Sequence, residues 1–308
     1  MRKERRITIE PRGYDRASFS RRYRIPIFIS ATDIKDYLKC PRMVYFKKLC
    51  PTEIRLKELN VSQVLGEFEH KCFEILNKEL MHHYLNLSRE SQVTQDYIQS
   101  LPLVVSAIVE KVKNEFMQKF FVFDSSIAEH SIELKQRLIK LEEIRLNQAK
   151  ILLQKGISGL ELVSHLFPVQ TEVYLNSQDL GLSGRIDAIY NNGSGLCPED
   201  IKTYIPTNGD GVDLPTQLQL AVYALLIENS TGKDVNIARV NYSKLGKIET
   251  IILTSELRKK VLRIRDQILK MILQRKEPKP HKKDTFCEFC NPERKDKELK
   301  NMEVYEDG

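Results

Sequence analysis

The spacing of apolar residues divides the chain into a helical part and a later part rich in strands. Up to about residue 155, apolar residues recur every three or four positions, which is the period of an amphipathic helix. This period predicts two short helices over 30–50, a longer helix over 60–81 and a mostly helical stretch over 88–155. We expect that stretch to be interrupted near Leu101 and Pro102, because proline breaks helices.

From about residue 167 the apolar pattern changes to a period of two, which is typical of half-buried strands. The segments PVQTEVYLN, LSGRIDAIYN and LCPEDIKTY are predicted as successive strands, the last two joined by a turn at 191–193. A helix that is apolar on all sides follows over 214–230, then a hairpin of two strands and a long helix that ends near Lys276. This order of elements predicts a mixed α/β layer fold.

Positive charge is concentrated at the start of the chain. The 308 residues carry a formal net charge of +7, which is weak support for a polyanionic partner. The first 25 residues hold nine Lys or Arg against three acids. We assign 1–29 as a basic arm that is either a solvated tail or a segment lying along phosphates. The sequence has no apolar run of membrane-spanning length and no secretory signal, so we expect a cytoplasmic protein with no membrane segment.

Two acids and a lysine interrupt the apolar runs of the predicted strands. Alternate residues of a strand share one face, so Asp200 and Lys202 point the same way, and Asp187 joins them if the hairpin register aligns. Two close carboxylates repel each other; Lys202 offsets one charge and a divalent ion would offset the other. Oxygen ligands suit Mg²⁺ or Mn²⁺, which can activate water and polarise a phosphoryl oxygen. The alternative is a salt-bridged pair on a sheet face.

These residues belong to a larger set of motifs. Gly66-Glu67-Phe68-Glu69-His70 on a helix, Asp187 and Asp200-Ile201-Lys202 on strands, and Gln219 with Tyr223 on a helix follow in that order. The set resembles the RecB-like exonuclease branch of the PD-(D/E)xK nuclease superfamily. The resemblance implies a restriction-endonuclease-like mixed sheet flanked by helices, formed by a nuclease domain over 30–308 with a helical insertion at 88–155.

The resemblance also implies roles for single residues. The expected metal ligands are His70, Asp187, Asp200 and the carbonyl of Ile201. Lys202 is expected to be catalytic, with Gln219 and Tyr223 orienting the lysine and the DNA. Other interpretations remain for single members of the set: His70 as a buried helix histidine, and Gln219 with Tyr223 as a buried polar pair. Glu172, one strand earlier, is either an additional acid at the site or a surface residue.

Three of the six cysteines resemble the iron–sulfur motifs of the same branch. Cys40 lies in a CPR sequence between the two first helices, and Cys287 and Cys290 form a CxxC, although the branch's last cysteine is missing. The resemblance implies a cluster, of the [4Fe–4S] type, held by these three residues. In place of the missing cysteine, Cys50 and His281 are the candidates for the fourth ligand. Zinc, or no metal, are the alternatives. Such a bridge would clip the C-terminal segment 277–292 to the start of the domain. We interpret the remaining two cysteines, Cys72 and Cys197, as buried apolar residues.

Together the motifs are similar to those of the CRISPR-associated RecB-like exonucleases, which trim DNA ends before spacer integration. The helical insertion and the arm indicate a divergent, archaeal-type subfamily. The resemblance implies a metal-dependent exonuclease that acts on single-stranded DNA ends, with 5′→3′ polarity and CRISPR integrase proteins as partners. Three alternatives stay open: a DNA repair nuclease unrelated to CRISPR, a non-catalytic DNA-end-binding scaffold subunit, and a zinc-binding structural protein.

Overall fold

The computed structural model describes most of the nuclease-like region. The described residues are 27–49, 61–93, 95–191, 195–203, 211–280, 287, 289 and 290. The basic arm up to residue 26, Cys50 and His281 lie outside them, as do residues 192 and 193 of the predicted turn. Within the described residues, buried apolar side chains form two cores, one around a β-sheet and one among helices.

The described residues form a mixed sheet of six strands, five of which lie in the later part of the chain. The strands are β1 Ile29–Ser30, β2 Gln170–Ser177, β3 Leu182–Asn191, β4 Leu196–Lys202, β5 Ile237–Tyr242 and β6 Lys247–Ile252. β3 is central: it pairs antiparallel with β2 and β4 and parallel with β1. β5 then pairs parallel with β4 and antiparallel with β6. The predicted α/β class is confirmed. The strand β1 was not predicted, because two residues are too few to show an apolar period.

Helices cover the sheet and form a separate lobe. They are α1 Ala31–Lys39, α2 Pro41–Leu49, α3 Val61–Leu85, α4 Gln95–Lys119, α5 Asp124–Gln154, α6 Gly159–Leu166, α7 Leu214–Thr231 and α8 Ser255–Gln274. The apolar helix α7 lies against β3 and β4, with α1 and α8 packed on it. Within the described residues, none of the helices has the combination of length and apolar character that crossing a membrane requires.

The helical lobe differs from its predicted form at one point. We expected a break near Pro102, but Pro102 lies inside α4, and the chain reverses later, in a 3₁₀ turn at Phe121–Phe123. A proline inside a helix removes one backbone hydrogen bond. Leu101, Val105 and Val109 bury their side chains in the lobe core on both sides of that turn of helix, and this packing offsets the loss. The helix α6 was not predicted.

The start of the domain is fixed by a capped helix. The Ser30 side chain accepts a hydrogen bond from the Asp33 backbone, and Asp33 in return caps the Ser30 backbone, which forms a capping box. Ile34 is buried, whereas Leu38 is 37% exposed. Asp33 occupies the buried face instead, where its carboxylate lies 2.6 Å from the Lys48 ammonium of α2. This ion pair is why an acid, rather than a leucine, faces the interior.

Candidate active site

The hairpin of β3 and β4 brings the two predicted acids together. Ala188 pairs with Glu199, so the next position along each strand sets Asp187 beside Asp200. The Asp187 Oδ2 atom accepts a hydrogen bond from the Ile201 backbone N–H at 2.6 Å. The register that the sequence required is therefore present, and the contact of Ile201 with this site is through its N–H group.

Helix α3 adds an imidazole to the acids. His70 Nδ1 lies 3.1 Å from Glu172 Oε1 and 3.5 Å from Asp187 Oδ1. Ligand atoms of these three residues all lie within 4.8 Å of one another. We call His70, Glu172 and Asp187 the His–acid cluster. It joins one helix and two strands, so it exists only in the folded chain.

Glu172 reaches the cluster with an unusual backbone conformation. Thr171 pairs with Ala188 and Val173 with Ile186, so Glu172 lies across from Asp187 on the neighbouring strand. Its φ angle is +52°, a left-handed conformation that residues other than glycine adopt rarely. Such conformations concentrate at functional sites, where the surrounding structure holds them in place. Of the two interpretations of Glu172, the structure supports a position at the site.

A buried polar network holds the lysine beside the cluster. Lys202 Nζ lies 2.6 Å from Asp200 Oδ2 and donates to Gln219 Oε1 at 3.1 Å. The Gln219 amide in turn donates to Asp200 Oδ1 at 2.7 Å and to the Tyr223 hydroxyl at 2.8 Å. Tyr223 is 3% exposed, and the hydrogen bond from Gln219 gives its buried hydroxyl a polar partner. The four residues therefore form one connected unit.

Comparison with known proteins agrees with this geometry. Residues 29–294 match the family model of the PD-(D/E)XK nuclease superfamily. The chain belongs to the PD-(D/E)XK nuclease superfamily. This confirms the resemblance and the fold class that the motifs predicted, since the match spans the sheet, the helical lobe and the cysteine segment.

A curated relative is also similar in sequence. It is named CRISPR-associated exonuclease Cas4/endonuclease Cas1 fusion, from Leptospira interrogans serogroup Icterohaemorrhagiae serovar Lai (strain 56601), and it is 26% identical over 171 residues. The match covers 53% of this chain and 31% of the relative. The chain therefore matches about a third of the length of that protein.

The His–acid cluster fits the divalent metal that superfamily nucleases use. Neighbouring ligands of an octahedral ion at about 2.1 Å are about 3.0 Å apart. The separations of His70 Nδ1 from Glu172 and Asp187, 3.1 and 3.5 Å, are near that value. Two carboxylates suit Mg²⁺ or Mn²⁺. Asp200 lies outside the cluster itself, in contact with Lys202 and Gln219.

The charges of the cluster depend on one another. Burial raises the pKa of Asp187, and the neighbouring charge of Asp200 adds to this, although His70 opposes it; the result is about 7. Burial alone would lower the pKa of His70, but its hydrogen bond with Glu172 and the charge of Asp187 raise it to about 9. At neutral pH the metal-free imidazole is therefore protonated, so His70 must lose this proton before it can bind a metal.

Two cavities meet at the cluster. The larger, about 640 Å³, opens between α3 and the sheet and is lined by residues that include Gly66, Lys71 and Arg185. The smaller, about 140 Å³, lies between the helical lobe and the sheet and is lined by residues that include Arg145 and Asn241. His70, Glu172 and Asp187 line both cavities. A ligand can therefore approach the cluster from either side.

Two further charged residues near the site were not singled out from the sequence. Lys35 of α1 lies beside Lys202; burial and the positive charge of Lys202 lower its pKa to about 8. Glu69, which precedes His70, is fully buried. Lys35 and Glu69 both lie on amphipathic helices, where charged residues are common. The one signal in the sequence is the position of Glu69 between Phe68 and the motif residue His70.

The structure brings the three predicted cysteines together. Cys40, Cys287 and Cys290 place their sulfur atoms within 4.8 Å of one another, with 3.6 Å between Cys40 and Cys290. Burial raises the pKa of Cys40 to about 12, whereas hydrogen bonds from Cys40 and from the Phe289 backbone outweigh burial and lower the pKa of Cys287. Cys72 and Cys197 are both buried, as expected.

Contacts around the three cysteines extend the link between the chain ends. Arg42 of α2 donates to the Phe289 carbonyl at 2.8 Å and its guanidinium lies 2.5 Å from Glu277. The rings of Phe46 and Phe289 stack with centroids 6.4 Å apart. The cysteine segment is therefore attached to α2 through polar and aromatic contacts as well as through sulfur.

Proposed function

We propose that the chain is a metal-dependent deoxyribonuclease that removes nucleotides from single-stranded DNA ends during CRISPR adaptation. The observation that supports this most is the His–acid cluster set directly against the Asp200–Lys202 pair in a member of a nuclease superfamily. The relative whose name joins a CRISPR-associated exonuclease to endonuclease Cas1 supports both the CRISPR setting and an integrase protein as partner.

His70, Glu172 and Asp187 would hold the metal, and Asp200 with the carbonyl of Ile201 would complete its surroundings. When bound, Mg²⁺ or Mn²⁺ lowers the pKa of water and polarises the phosphodiester. The Ile201 N–H group keeps Asp187 turned toward the cluster. The Asp200 carboxylate is held by Gln219 and Lys202, so it adds negative charge next to the cluster without moving.

Lys202 supplies the fixed positive charge of the site. Its ammonium is held between Asp200 and Gln219, and Gln219 is itself held by Tyr223. A cation fixed in advance stabilises the charge that accumulates on a phosphate during cleavage, because no reorganisation is needed at that moment. Tyr223 acts through Gln219, as a positioning residue.

The cavities favour a flexible strand over a duplex. A single strand can turn between the larger and the smaller cavity, with its scissile phosphate at the cluster where they meet. Lys71 and Arg185 line the larger cavity, where they pair with Glu74 and Glu172, and a phosphate would compete for these two cations. The basic residues of the arm would add to this attraction, which falls as salt concentration rises.

The three cysteines are assigned a structural metal centre. The resemblance implies a [4Fe–4S] cluster in which each thiolate binds its own iron. The 3.6 Å between Cys40 and Cys290 is near the roughly 3.8 Å expected between two sulfur ligands of one tetrahedral ion at 2.3 Å, such as Zn²⁺. Visible absorbance and metal analysis of anaerobically purified protein decide between the two, since only the cluster is coloured.

Cleavage of end-labelled single-stranded DNA with Mn²⁺ tests the proposed function. We expect Lys202→Ala to lower the rate about 10²- to 10³-fold, in line with the loss of one preorganised charge. Asp187→Asn and Asp200→Asn should abolish cleavage but retain DNA binding, since fewer negative charges then face the phosphate. Lys247→Ala is the matched control, because Lys247 pairs with Glu249 on β6. Wild-type rates in the Lys202→Ala protein, or activity that survives EDTA, would contradict the proposal.

A further inference from the structure

Glu69 is a fully buried carboxylate that the proposed chemistry does not use. It precedes His70 on α3, so the two side chains leave the helix in different directions, His70 toward the cavities and Glu69 toward the interior. Burying a charge is unfavourable unless several partners compensate it. Glu69 remains ionised there: burial would raise its pKa, but hydrogen bonds from His130 and Arg137 lower it to about 2.

The partners of Glu69 come from the inserted helical lobe. Arg137 of α5 makes two parallel hydrogen bonds to the carboxylate, at 2.9 Å to Oε1 and 3.0 Å to Oε2. His130, two turns earlier on the same helix, lies 3.1 Å from Oε2. The paired geometry of guanidinium and carboxylate fixes direction as well as distance. The lobe therefore holds α3 at the residue next to the metal ligand His70.

The same network reaches the strand that carries Lys202. Ser243 follows β5, and its hydroxyl donates to Glu69 and accepts from Arg137 at 3.0 Å. The Ser243 backbone N–H donates to the Lys202 carbonyl at 3.0 Å. Glu69, Arg137 and Ser243 thus connect the backbone at His70 with the backbone at Lys202 through direct hydrogen bonds.

We propose that Arg137, with His130, is a positioning residue of the metal site, acting through Glu69 and Ser243 to fix His70 relative to the strand that carries Lys202. This inference rests on the proposed function, since it assigns the metal to the His–acid cluster. It gives the insertion at 88–155 a role in the chemistry: the lobe supplies the cation that holds the helix of the metal ligand. Outer contacts of this kind commonly change metal affinity about 10- to 100-fold when removed.

The effect of charge alone has the opposite sign. Arg137 is positive, so its removal would strengthen the binding of a cation nearby if the residue acted only through its field. A purely structural role would lower the melting temperature and leave metal affinity as it was. Only a positioning role predicts weaker metal binding after a positive charge is removed.

The test is Mn²⁺ affinity of the full-length protein without DNA, measured by calorimetry and by electron paramagnetic resonance of bound Mn²⁺. Arg137→Met should weaken Mn²⁺ binding about 10- to 100-fold. Arg137→Lys keeps the charge and loses the paired hydrogen bonds, so it should also weaken binding, by a smaller factor. Leu138→Ala is the matched control: Leu138 is an uncharged residue buried in the lobe core on the same helix, and it lines neither cavity. It should lose stability and keep wild-type affinity.

If both Arg137 variants bind Mn²⁺ as tightly as the wild type or more tightly, the inference is overturned. Arg137 would then be only one partner of a stabilising ion pair. An equal loss of affinity in Leu138→Ala would also overturn it, because any destabilised lobe would then have the same effect. Wild-type protein that binds no Mn²⁺ would contradict the proposed function itself, and this inference with it. If Arg137→Met fails to fold, the Arg137→Lys protein carries the test, since it retains the charge that Glu69 requires.

Discussion

Glu172 shows how much a single backbone angle contributes to the site. Its left-handed conformation brings the carboxylate to 3.1 Å from His70, and Arg185 holds its other oxygen at 2.8 Å. We predict that Glu172→Gln weakens Mn²⁺ binding at least about tenfold, as the loss of a charged ligand requires. The control is Glu74→Gln, because Glu74 lines both cavities but pairs with Lys71 and Lys78. Calorimetry that finds equal losses in both proteins would remove Glu172 from the cluster.

His70 makes metal binding depend on pH. The imidazole faces Glu172, Asp187 and Asp200, which raise its pKa to about 9, and it must lose its proton to bind a metal. Affinity for Mn²⁺ should therefore increase with pH, about tenfold per unit for one released proton, between about pH 7 and pH 9. Anaerobic calorimetry in two buffers of different ionisation enthalpy measures the released proton. An affinity that is constant over this range would show that His70 is not a ligand.

At the residue scale, the sequence pointed to the residues that belong to motifs, left Glu172 between two interpretations and missed Lys35. Asp187, Asp200 and Lys202 interrupt apolar strands, which made them visible. Glu172 lies in a strand with alternating polar residues, so its pattern is that of a surface position. Lys35 lies on a helix that reaches the site only through tertiary packing.

Between elements, β3 and α7 pack closely at Gly184. A Cβ atom on Gly184 would lie 3.0 Å from Tyr223 Cε1 and 3.2 Å from Leu226 Cδ1. Gly184→Ala should therefore push α7 from the sheet, lower stability by about 1–3 kcal/mol and displace Gln219 from Lys202, with a lower cleavage rate. The matched control is Gly66→Ala on α3, which meets no atom within 4 Å and should stabilise the helix by about 0.5–1 kcal/mol.

Denaturant unfolding and cleavage assays of the two glycine variants check this expectation. Wild-type stability in Gly184→Ala would mean that α7 adapts without strain, and the proposed coupling of Tyr223 to Lys202 would lose its support. If Gly66→Ala is stable but binds DNA less well, the glycine of the helix motif serves substrate clearance, since it lines the larger cavity.

Elements were predictable wherever the apolar period was long. Helices α3 and α8 and strands β2 to β6 follow from periods of 3.6 and two, and α7 follows from its long apolar run. Pro102 does not end α4, because the packing of Leu101 and Val105 in the lobe core outweighs the low helix propensity of proline. The strand β1 is held by its parallel pairing with β3, a contact between distant parts of the chain that no local pattern records.

Across the whole molecule, the cysteine segment joins the two ends of the described chain. The three sulfur atoms, Arg42 and Phe46 hold Cys287, Phe289 and Cys290 against α2. Closing so long a loop removes conformational entropy from the unfolded chain, on the order of several kcal/mol. We predict that Cys287→Ser lowers the free energy of unfolding by an amount of that order and releases the bound metal, while cleavage well below the melting temperature is retained.

Thermal unfolding, metal analysis and cleavage at low temperature test this prediction on the same preparation. The matched control is Cys72→Ser: it alters a cysteine in the lobe core, so it should lower stability without changing the metal content. A Cys287→Ser protein with an unchanged melting temperature would show that the chain ends are joined by other contacts. Loss of cleavage in a stable Cys287→Ser protein would give the cysteines a part in the chemistry.

The relation of the two cores to each other is the least predictable property of the fold. The sheet core and the lobe core are separate in their buried residues, and Ile201 of β4 packs against the lobe core. The sequence showed the lobe as an insertion without a motif. Its contribution to the site depends on Arg137 and His130, which are seven positions apart and meet one carboxylate only in three dimensions.

The position of a bound Mn²⁺ ion tests the central claim most directly. Crystals soaked in Mn²⁺ and measured near the manganese absorption edge would locate the ion by its anomalous scattering. We predict a peak within about 2.2 Å of ligand atoms of His70, Glu172 and Asp187. The account would be contradicted if the protein cleaves DNA with Mn²⁺ but its crystals show the ion only away from these three residues.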